Sequence, residues 1–77
     1  MFDVSVIKCD SYNSDEVKKA LTEAIDAVGG LSWITSGMKI AIKANLVSFM
    51  SPDKAATTHP ALLCELVKIL MEKGAEV

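Results

Sequence analysis

No cluster of basic residues and no run of like charge occurs in these 77 residues, so the chain lacks the electrostatic footprint of a nucleic-acid binder. Ten acidic and eight basic side chains leave a net charge of −2. No apolar run reaches the roughly 18 residues that a membrane span requires. The opening MFDVSVIKCD carries an acid at its third position and no long apolar region, so this stretch is not expected to act as a signal peptide. Cysteine is scarce: Cys9 and Cys64 stand far apart and match no metal-ligand spacing. Two free thiols in a reducing cytoplasm are expected. A glycine-rich phosphate loop, a nucleophile elbow, internal repeats and low-complexity linkers are all missing. The expected protein is cytoplasmic, with neither a nucleic acid nor a membrane as partner.

Apolar residues are what the chain has in quantity, at 51% of the total with a mean hydropathy of +0.33. A folded domain of this size hides only about 60% of the surface its unfolded chain exposes. So much apolar surface on so small a body predicts either a single partial domain (1–77) missing its C-terminal remainder, or self-association.

Residues 4–9 read as a strand, rich in Val and Ile and stopped by Asp10 and Ser11. Both of its faces are mostly apolar, which marks a central strand covered on two sides. Asn13 then offers a helix cap, with Asp15 and Glu16 in the first turn and capping-box spacing between Asn13 and Glu16. Val17, Ala20, Leu21, Ala24, Ile25 and Val28 form one apolar stripe, and Gly29-Gly30 supplies the left-handed stop. Trp33, in a short apolar connector, either caps a small core or offers a stacking platform.

In residues 38–47, Met38, Ile40, Ile42 and Ala44 alternate with Lys39, Ala41, Lys43 and Asn45, the pattern of a half-exposed edge strand. A loop over 48–57 follows, carrying Phe49 and Met50 and longer than strand-to-helix loops generally are. Pro60 suits the first position of a second helix, with His59 or Thr58 as its cap. Leu62, Leu63, Leu66, Val67 and Leu70 make its buried stripe, while Glu65, Lys68, Glu72 and Lys73 stay outside. Gly74 ends that helix, and a third strand begins at Ala75. The expected fold is α/β: a parallel three-stranded βαβαβ unit of order 2-1-3, part of a larger α/β domain and truncated at the start of its third strand.

Ligands of open parallel sheets bind beyond the C-terminal strand ends. There the sequence gathers Lys43 and Asn45 on one strand face, and Thr57, Thr58 and His59 at the start of a helix. A cation, a carboxamide, two hydroxyls and a helix N-terminus suit a phosphate or carboxylate. Each has a plainer alternative: Lys43 as a solvated side chain, Thr58 as a cap, His59 as a cap or a packed ring. No residue is assigned a catalytic or metal-binding role, and no reaction is read from the sequence.

The segments VSVIKCDSY, VGGL, GMKIAIKANLV and KAATTHPALLCELVKILMEKGAEV resemble the N-terminal part of the domain of unknown function 362 family. Its most specific parts here are 43–46 and 57–60. Where that family has K-P-N-L, this chain has Lys43-Ala44-Asn45-Leu46, without the stiff turn of a proline. Members of the family are often described as iron–sulfur or ferredoxin-like, and many carry a cysteine-rich segment. The resemblance implies a redox-associated protein whose clusters would sit in segments other than these. Two readings result. The first is a half-site for a small anionic ligand at Lys43, Asn45, Thr57, Thr58 and His59. The alternative is a structural or interaction fragment that docks a partner chain through its sheet edge and the 48–57 loop.

Overall fold

The computed structural model describes residues 3–45 and 58–77. Two helices pack together, α1 over Ser14–Ala27 and α2 over Pro60–Glu72. No helix among the described residues is long and apolar enough to cross a membrane.

The first helix starts where the sequence says it should. The Asn13 side chain accepts the Asp15 N–H at 3.0 Å, and the Asn13 carbonyl takes that of Val17. The capping box does not close directly. Instead the Asn13 N–H donates to the Ser11 hydroxyl at 3.1 Å, and that hydroxyl donates to the Glu16 carboxylate at 2.6 Å. Val17 is buried, Ala20, Leu21, Ala24 and Ile25 are half-buried, and Val28 falls outside the helix as its C-cap. At the far end, Gly30 N–H bonds the Ile25 carbonyl and Gly29 N–H that of Asp26. This paired closure requires a left-handed residue, which Gly29 provides at φ 114°.

The second helix ends in the same way. Ala75 N–H reaches the Leu70 carbonyl and Gly74 N–H that of Met71. The turn places Ala75 against Leu70, and with Ile34 these form the buried core. Leu31, Met38, Ile40, Ile42 and Leu66 pack around it, half-buried. Ile34, not its neighbour Trp33, closes this end: Trp33 is 59% exposed.

The expected three-stranded α/β sheet is not formed: the described residues contain two helices and no strand. Where strands two and three were expected there is one parallel bridge, Lys39 with Glu76, held by Ile40 N–H to the Glu76 carbonyl and Glu76 N–H to that of Met38. That contact also overturns the 2-1-3 order, since these two segments touch with nothing between them. Residues 4–9 carry a β-type composition, but such a preference expresses a fit to a paired, pleated neighbour and not a backbone state of its own. Among the described residues no main-chain hydrogen bond joins them to another segment. Ser5 donates from its hydroxyl to the Ala24 carbonyl at 2.7 Å, seating Ser5 and Ile7 toward α1. Val4 and Val6 point away, 76% and 91% exposed. The period-two pattern of 38–45 survives as side-chain exposure: Met38, Ile40, Ile42 and Ala44 are half-buried, and Lys39, Ala41, Lys43 and Asn45 are exposed. The 48–57 loop, with Phe49 and Met50, lies outside the described residues, as do Leu46 and Val47.

Candidate functional site

The junction that the sequence singles out is built from three connected pieces. Asn45 and Thr58 are joined twice: Thr58 N–H donates to the Asn45 carbonyl at 2.7 Å, and Asn45 N–H donates to the Thr58 hydroxyl at 3.0 Å. That pair brings the end of the 38–45 segment to the start of α2. His59 then caps the helix, its Nδ1 accepting the Ala61 N–H at 3.1 Å. Its ring lies flat on Tyr12, with centroids 3.6 Å apart and planes 8° from parallel. Tyr12 immediately precedes the Asn13 cap of α1, so the stack ties the two helix starts together.

Of the expected ligand residues, Asn45, Thr58 and His59 are therefore linked, and Lys43 is exposed two residues before Asn45. Thr57 lies outside the described residues. The cap of α2 is His59, while Thr58 serves Asn45 instead.

The electrostatics at this helix start differ from those of an open anion site. Pro60 has no N–H to offer. The Ala61 donor is taken by the imidazole, and the Leu62 and Leu63 donors both turn to the His59 carbonyl, at 3.1 and 3.3 Å. The donors at positions 61–63 that a bound phosphate would need are thus already satisfied within the chain. What this end still presents to solvent is the Lys43 ammonium and the Asn45 carboxamide, both on exposed residues.

Two features here escape the sequence reading. Tyr12 is one, since its partner is remote along the chain. Glu65 is the other: expected outside, it is 5% exposed, with Lys68 Nζ 3.3 Å from its carboxylate. Glu65 stands four residues from both Ala61 and Ile69, on a ridge that turns inward, and this spacing was the available signal.

Cys9 and Cys64 are free and exposed, and among the described residues no three His, Cys, Asp or Glu side chains gather in a metal-binding group. A [4Fe–4S] cluster takes four thiolates, and two cysteines do not fit it, so no redox step is derived for these residues. In comparisons with known proteins, no family model, no curated protein and no solved structure matches this chain.

Proposed function

We propose that this chain is an interaction module which associates with a second copy of itself through the outward face of residues 4–9. The observation that carries the reading is the state of that segment. Its inner residues rest on α1, its main chain is unpaired among the described residues, and Val4 and Val6 stand in solvent. Full burial of one valine is worth about 1.5–3 kcal/mol, a large amount for a chain whose interior holds no completely buried large side chain among the described residues.

Sedimentation equilibrium across the micromolar range tests this. The expected result is a reversible dimer that Val6→Asp converts to monomer while helix content stays constant. A wild-type monomer with cooperative unfolding, or a dimer indifferent to Val6→Asp, overturns the proposal.

A second reading, a weak anion contact, rests on one observation: the exposed Lys43 beside the doubly bonded Asn45–Thr58 pair. Because the α2 donors are taken, the contact would come from the Lys43 and Asn45 side chains. A phosphate titration followed by amide shifts should move residues 43–45 and 58–59 only. Unchanged shifts there remove this reading.

A further inference from the structure

We draw no further inference here: the strongest candidate, the apolar groove of about 340 Å³ between Ile7, Tyr12, the Leu21 side of α1 and Leu62, carries nothing because nothing in the structure shows what covers it.

Discussion

Tyr12 and His59 stack face to face, ring on ring, at the point where both helices begin. The contact links two N-caps that are remote in sequence, and the same imidazole also holds the Ala61 N–H. Offset and edge-to-face aromatic pairs contribute about 0.5–1.5 kcal/mol beyond the area they bury, and a nearly parallel sandwich such as this one belongs at the low end, about 0.5 kcal/mol. Tyr12→Ala should therefore lower the unfolding free energy from urea titration by about 0.5–1 kcal/mol, the stack plus the limited area this 56% exposed residue buries, with α1 still helical by far-ultraviolet circular dichroism. Tyr12→Phe keeps the ring and should unfold close to wild type. Equal losses in both variants would assign the role to the hydroxyl instead of the stack.

His59 performs two tasks that substitution can separate. His59→Asn retains an N-cap acceptor and removes the ring, whereas His59→Ala removes both. Loss of a good cap costs about 1 kcal/mol, so the alanine variant should be the less stable of the two by roughly that amount. A double-mutant cycle between Tyr12→Ala and His59→Asn isolates the stack, and its coupling should be about 0.5 kcal/mol, the low end for aromatic pairs. Strictly additive losses would show that the rings touch without stabilising each other.

How much of this was legible in the sequence follows from the range of each interaction. Asn13, the 3–4 spacing of Val17 to Ile25, Pro60 and the glycines after each helix all act within a few residues. They place α1 and α2 correctly. Residues 4–9 are the opposite case. Val4, Val6 and Ile7 favour a strand only if a neighbouring strand pairs with them, and composition cannot supply that neighbour. The Lys39–Glu76 bridge shows the same limit, because the alternation over 38–45 fixes which side chains turn inward without fixing what the main chain bonds to. At the candidate site, a polar cluster was readable. His59 as a cap or a packed ring was readable too; that the ring packs on Tyr12 was not, since that partner is remote along the chain.

Lys43 discriminates between the two functional readings at little risk to the fold. It is exposed, so Lys43→Ala should change stability by no more than about 0.5 kcal/mol, as at surface positions generally. If the weak anion contact exists, phosphate-induced amide shifts should vanish in this variant. Self-association through Val4 and Val6 should be unaffected. A thermal loss well beyond the surface range would make Lys43 a structural residue, and the anion reading would lose its cation.

Gly74 and Gly37 provide a matched pair for the end of α2. Both have a positive φ, +91° and +83°, so each replacement by alanine incurs left-handed strain of roughly 1–2 kcal/mol. Their surroundings differ. A Cβ on Gly37 would meet nothing within 4 Å, whereas one on Gly74 would stand 3.1 Å from the Cα of Ser36 and 3.3 Å from its side chain. Backbone cannot yield as a flexible side chain does, and the Gly74 carbonyl also accepts the Gly37 N–H at 2.8 Å. Gly74→Ala must therefore either push the 35–37 turn away or shift Ala75, which belongs to the buried core. The expected order in a denaturant series is wild type, then Gly37→Ala, then Gly74→Ala, with a clear gap between the last two. Amide exchange at Ile40 and Glu76, whose main-chain bonds form the Lys39–Glu76 bridge, should quicken only in the Gly74 variant. Equal destabilisation by both substitutions would mean that strain alone decides, and that the close approach to Ser36 is relieved without cost.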